Sequence, residues 1–282
     1  MEVIKNEKTA EIVGLSFGDG SLTRRHSGKN KGRLRFQLRG NITEDKEHYD
    51  NFIIPLFNDT FGINIKPVIC NGKDKSYGIS IENQKVCELL QELEIPVGIK
   101  DELQIPSWIT SNGEFTKCFL QGLMDTDGSV FCGKDYNYPA KGYIKIRMGI
   151  CSTSKNLIKE VSELLKILGI HNLKIKDYKQ KIQNWKDFSR IQIDGPNVAK
   201  YFNLIGSKNP KHITKFQVWK RFGFCPPRTT IEQRYSMLKE SASILSAGVS
   251  EPGQMNTVED EKQKPYALVA ARVRIPSPAF RL

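Results

Sequence analysis

Apolar and polar residues alternate strictly at 33–39. Leu34, Phe36 and Leu38 share one face, and Arg33, Arg35, Gln37 and Arg39 share the other. A period of two predicts a half-buried antiparallel strand, and the open face of this one is basic. The stretch at 143–148 repeats the pattern, with Ile144, Ile146 and Met148 opposed to Tyr143, Lys145 and Arg147. Shorter strands are predicted at 77–82 and 189–194, the second adding Arg190 and Gln192 to a polar face. Between the strands the period changes. Tyr49, Phe52, Ile53, Leu56 and Phe57 follow the spacing of one helical face, as do Leu157, Val161, Leu164, Leu165 and Leu168. Gly62 and Gly169 stand where left-handed caps would close these two helices. Pro55 falls inside the first of them, where its ring and missing N–H predict a kink. Further helices are expected from near Gln84 and near Asn197.

These elements come in two registered sets. The stretch at 10–22 recurs at 118–130, which sets Asp19 and Asp127 108 residues apart, and the same interval separates Lys100 from Lys208. Trp108 then answers Trp219. A period held through several landmarks marks a duplicated unit. Each half reads as α-β-β-α-β-β-α, so the expected class is α+β with two pseudo-symmetric repeats, 1–115 and 116–240. Residues 241–282 match neither half and are rich in small and polar side chains, which predicts little structure of their own.

Composition narrows the function. The 282 residues carry 43 Lys and Arg against 31 Asp and Glu, a formal net charge of +12. That charge is spread along the chain and favours a polyanionic partner. Nucleic acid comes ahead of membrane, since no long basic amphipathic helix is evident. No apolar run is long enough to predict a transmembrane span, and the first residues lack the apolar segment of a secretory signal. The six cysteines are widely spaced, without a C-x-x-C pair, and read as thiols in a reducing compartment. A cytoplasmic, prokaryotic protein is the expectation, with an organellar one as the other choice. No G-x-x-x-x-G-K-[ST] loop points to nucleotide hydrolysis.

Gly14 and Gly18 in the first repeated helix, and Gly122 and Thr126 in the second, stand four apart on one face. Small residues at that spacing let two helices meet backbone to backbone. Their C-terminal ends would then bring Asp19 and Asp127 side by side. Each carboxylate would face both its twin and the negative end of a helix dipole. A single Asp-Gly reads as a turn, but two in register are best explained by divalent cations.

The stretches at 12–20 (Ile-Val-Gly-Leu-Ser-Phe-Gly-Asp-Gly) and 120–128 (Leu-Gln-Gly-Leu-Met-Asp-Thr-Asp-Gly) resemble the two motifs of a single-chain LAGLIDADG homing endonuclease. The resemblance spans roughly residues 9–235. It implies that the motif helices form a central interface and that each half presents its sheet as a saddle over double-stranded DNA. It implies that Asp19 and Asp127 bind Mg2+, with Mn2+ as a substitute, helped by the carbonyls of Gly18 and Thr126. It points to Lys100 and Lys208 as groups stabilising the transition state. The Gln or Lys that some members place after the second strand has no counterpart at 40–44 or 150–154, which leaves the water-positioning group unassigned.

The resulting expectation is a monomer that breaks both strands of DNA by metal-dependent hydrolysis. A catalytically silent DNA-binding regulator or an RNA maturase is the alternative. The face of Arg33, Arg35, Gln37 and Arg39 spans about 20 Å at roughly 3.3 Å per residue, enough to follow a major groove. Arg suits guanine there and Gln suits adenine. Tyr143, Lys145, Arg147, Arg190 and Gln192 form a different second face, so the target is expected to be asymmetric and on the order of twenty base pairs long. The initial Met and the missing terminal His-Asn favour a free-standing protein over an intein.

Overall fold

The computed structural model describes residues 4–70, 76–134, 142–182 and 186–246. The first repeat runs α1 (Glu7–Phe17), β1 (Gly20–Arg24), β2 (Leu34–Asn41), α2 (Lys46–His48), a π-helical turn (Tyr49–Ile53), α3 (Ile54–Phe61), β3 (Val68–Cys70), β4 (Ser76–Ile81), α4 (Gln84–Glu92) and the short α5 (Ser107–Thr110). The second runs α6 (Gly113–Asp127), β5 (Gly128–Gly133), β6 (Lys145–Ser152), α7 (Lys155–Ile167), β7 (Lys174–Tyr178), β8 (Phe188–Asp194), α8 (Pro196–Leu204) and α9 (Pro210–Phe222). Each half builds one four-stranded antiparallel sheet, in the orders β1-β2-β4-β3 and β5-β6-β8-β7. This is the duplicated α+β architecture that the periodicity predicts. A last helix, α10 (Ile231–Ser246), takes in 241–246, which the sequence had assigned to an unstructured tail; 247–282 lie outside the described residues.

Alternation governs both sheets. Leu34, Phe36, Leu38, Ile79 and Ile81 are buried on the inner face of the first, and Ile146, Met148, Ile150, Ile191 and Ile193 on that of the second. Arg35, Gln37, Arg147, Arg190 and Gln192 lie half-exposed on the outer faces, and Lys145 is exposed. Arg33 stands just before β2, and Tyr143 precedes β6, so both flank their strands rather than belong to them.

Pro55 deforms its helix by a definite route. The amide of Ile54 reaches back to the carbonyl of Tyr49, a wide i→i−5 turn. That turn lets α3 restart with Pro55 in its first turn, where an N–H is not needed. The extra residue rotates the apolar stripe. Tyr49, Ile53 and Phe57 stay buried, whereas Phe52, expected on the same face, is 40% exposed.

The α1–α6 pair forms the centre. A Cβ on Gly14 would lie 2.1 Å from the Phe119 carbonyl oxygen, and one on Gly122 would lie 2.4 Å from that of Glu11. No side chain larger than hydrogen fits at either position. Lower down, a Cβ on Gly18 would meet the Thr126 hydroxyl at 2.0 Å, and Phe17 packs edge-on against Phe119 with centroids 5.6 Å apart.

Candidate metal and nucleic-acid site

The abutment of Gly18 with Thr126 brings together the C-terminal ends of α1 and α6. Asp19 follows the first helix and Asp127 is the last residue of the second, each directly ahead of the first strand of its sheet. Asp127 is half-buried. Its carboxyl is pushed up to about 7, by burial first and then by the negative charge of Asp19, with Lys100 and Lys211 opposing. The Asp19 carboxyl is pushed up to about 6 by burial, with Asp45 adding and Lys211 and Lys100 opposing. Asp19 is nonetheless open to solvent on one side, so crowding on the others accounts for the rise.

Lys100 does not stand as a free cation. The loop that carries it is pinned by a bridge between Val97 and Leu22 and by the Gly98 amide on the Leu22 carbonyl at 2.8 Å. From there Nζ donates to the carbonyls of Ser16 at 3.3 Å, Phe17 at 3.1 Å and Gly18. An ammonium thus caps the negative end of α1 and rests on the oxygen that the sequence resemblance offers to a metal. Lys208 is placed differently from expectation. Its Nζ pairs with Glu11 at 2.6 Å, locking α9's leading segment to the middle of α1 and leaving it turned from the two acids. Burial raises the Glu11 carboxyl and the Lys208 charge opposes the rise.

The sixth motif position also differs between the halves. Phe17 fills it apolarly, whereas Asp125 is fully buried and accepts from the Ser207 hydroxyl and from the Lys208 amide at 2.9 Å. Burial pushes its carboxyl to about 7 and lowers the neighbouring His48 to about 3, so that imidazole stays neutral. Nε2 of His48 lies 3.6 Å from the Asp125 carboxylate.

A hard divalent cation fits this donor set. Two carboxylates repel each other across the seam, and the Gly18 carbonyl already holds a positive charge in the form of Lys100. Among the described residues no group of three or more His, Cys, Asp and Glu converges, so water, main-chain and phosphate oxygens would complete the shell. Next to Asp127 a cleft of about 320 Å3 opens, lined by Gly18, Lys100, Cys151, Thr153 and Phe188.

The outer face of the second sheet is a connected network. Asp194 receives Arg147 at 3.5 Å, Lys174 at 2.8 Å and Gln192 at 2.8 Å. Arg190 lies flat across Gly149, where a Cβ would come within 2.3 Å of Nε, and its guanidinium sits 5.1 Å from the Phe131 ring centroid. Of the residues picked out from the sequence, Arg147 and Gln192 therefore share the Asp194 carboxylate, which the strand period itself puts on their face. On the first sheet Arg39 is exposed, and Arg25, in the turn before β2, pairs with Glu82.

Residues 114–206 match the family model described as a LAGLIDADG-like domain, a stretch that falls within the second repeat. The first repeat has the same order of elements and the same sheet topology. Among solved structures, the homing endonuclease I-DmoI in complex with DNA and Ca aligns with 71% of this chain and 88% of its own at 18% identity, with a TM-score of 0.49. The LAGLIDADG homing endonuclease I-LtrWI bound to target DNA aligns with 89% of this chain and 98% of its own at 15% identity and 0.48. For I-WcaI bound to its DNA recognition sequence the figures are 75%, 84%, 17% and 0.47. No curated protein matches the chain.

Proposed function

We propose that this protein is a site-specific DNA endonuclease of the homing type. It would cut both strands of a long asymmetric target with the help of divalent cations, as a monomer. The observation that carries this reading is the meeting of Asp19 and Asp127. Asp19, whose charge opposes the ionisation of Asp127, and Asp127 itself stand at the end of a glycine-seamed helix pair, each at the root of a sheet with a basic outer face. A repulsion of this kind is a cost to the fold that a bound cation relieves.

In this reading Asp19 and Asp127, with the Gly18 carbonyl, hold the divalent ions, Mg2+ in the first instance. A divalent ion bound there supplies Lewis-acid activation of the scissile phosphate. The chain's residues do the rest. The two carboxylates orient a phosphate from each strand, and the outer faces with Arg35, Gln37, Arg39, Lys145, Arg147, Arg190 and Gln192 fix the register of the duplex. Lys100, at the lip of the cleft beside Asp127, stabilises charge gathering on the phosphate oxygens.

Selection of cleaved sequences from a randomised duplex library with Mg2+ tests the proposal. Recovery of a single asymmetric site supports it. Asp19→Asn and Asp127→Asn should each abolish double-strand cutting or limit it to a nick while leaving gel-shift affinity within about threefold. Duplex binding without cutting in any divalent ion would favour a silent regulator instead.

A further inference from the structure

The outer face of the second sheet ends, beside Asp127, in aromatic carbon rather than charge. Phe188 opens β8 on the same face as Arg190 and Gln192, and it lines the cleft next to Asp127 together with Gly18 and Lys100. Tyr178 stands directly across from it at the end of β7. The two rings stack nearly parallel, 9° apart in plane and 4.9 Å between centroids. β7 is an exposed edge strand, and Tyr178 is 37% exposed. Along the same rows Lys176 stands opposite Arg190 and Lys174 opposite Gln192. Two rings at the cleft thus lead into a column of basic groups.

The hairpin that carries the rings is braced. Oδ1 of Asp187 accepts the Gln180 amide at 2.9 Å, and Nζ of Lys186 reaches Asp101 at 2.6 Å. Asp101 follows Lys100, so the rings are tied to the loop that holds the lysine. A cross-strand aromatic pair steadies a hairpin wherever it stands. This one stands in the wall of a cleft that also holds a carboxylate and an ammonium, and a ring there faces water until something with a flat apolar face covers it. Nucleobases have such faces. Rings already fixed by stacking on each other lose little freedom when a base arrives.

The first repeat lacks the feature at the matching place. Gly20 pairs with Leu38 and Leu38 with Ile79, as Gly128 pairs with Ile150 and Ile150 with Ile191. Three residues back from Ile79 and Ile191 lie Ser76 and Phe188. Ser76 pairs with Cys70 where Phe188 pairs with Tyr178, so the aromatic pair belongs to one half alone.

We infer that Phe188, braced by Tyr178, wedges against the base step beside the phosphate at Asp127 and partly unstacks it, while the Asp19 side makes no such contact. The inference rests on the endonuclease reading above and adds a nucleotide contact at one of its two cuts. The test uses the selected duplex with 2-aminopurine, which brightens on unstacking, placed in turn beside each cut. The Asp127 strand is the one slowed more by Asp127→Asn. In EDTA, with nothing cut, saturating protein should raise the signal about threefold beside the cut of that strand and leave it within about 1.5-fold beside the other. Phe188→Leu keeps an apolar side chain of similar bulk without a ring. It should abolish the rise and, with Mg2+, slow the Asp127 strand about tenfold while the other strand stays within about threefold. Phe188→Tyr should restore both readouts.

Equal brightening at the two cuts, a rise that survives Phe188→Leu, or equal slowing of both strands would overturn the inference while leaving the endonuclease reading intact. A wild-type protein that cuts neither strand of any duplex would overturn both.

Discussion

A carboxyl raised to about 6 or 7 is a poor cation ligand until it loses its proton. Asp19 is raised to about 6 and Asp127 to about 7, so divalent-ion binding to the DNA-free protein should strengthen from pH 5.5 to pH 8. Calorimetric titration with Mn2+ at both ends of that range checks this. The same shifts bear on stability. A folded-state value above the unfolded one disfavours the ionised form, so the penalty is absent below about pH 4 and complete above about pH 7. His48, lowered to about 3, works the other way, costing stability as pH falls below its ordinary value near 6.5. The comparison of wild type with Asp127→Asn separates the two. In EDTA the variant should melt higher at pH 8, and the gap should close towards pH 4. Both acids were legible from the repeated motif. The pairing of Lys208 was not, because spacing from the aspartates does not say that Glu11 claims its ammonium. In the sequence Tyr49 is one more apolar position in a helical stripe, since nothing in spacing tells a satisfied hydroxyl from an orphaned one.

At the scale of elements, the glycine seam makes the sharpest claim. Gly14→Ala and Gly122→Ala should each cost about 3 kcal/mol in urea unfolding, because the obstacle in both cases is a carbonyl oxygen of the facing helix. Gly113, at the start of α6, has open space around it and should accept alanine with a gain of about 0.5 kcal/mol. The sheets follow from a period of two because burial on one face is decided locally, residue by residue. The helix broken at Pro55 does not follow so simply, since a π-turn shifts the register without changing any residue type. The second sheet carries its own prediction. Asp194 occupies Arg147, Lys174 and Gln192. Asp194→Ala should release them, tightening binding to random duplex and steepening its salt dependence by about one ion, with a smaller preference for the selected site. Filter binding across a salt series measures both effects.

For the whole molecule, a net charge of +12 supplies attraction that is blind to sequence, and discrimination must come from the two outer faces. The affinity for random DNA should fall at least tenfold between 50 and 200 mM salt, measurable by anisotropy. The faces are unequal. One offers Arg35, Gln37 and Arg39 with little to restrain Arg39, and the other binds its bases into a shared acid and an aromatic shelf. Duplication therefore produced two frames with one plan, and the chemistry that diverged between them lies in side chains that the repeat itself does not predict.

The ammonium resting on the Gly18 carbonyl gives the chain a tethered counter-ion of its own. A scaffold that carries its own cation near the two acids needs no mineral to assemble. Stripping it with a chelator should silence it while its circular dichroism stays as it was, so that dormancy and readiness are one and the same shape.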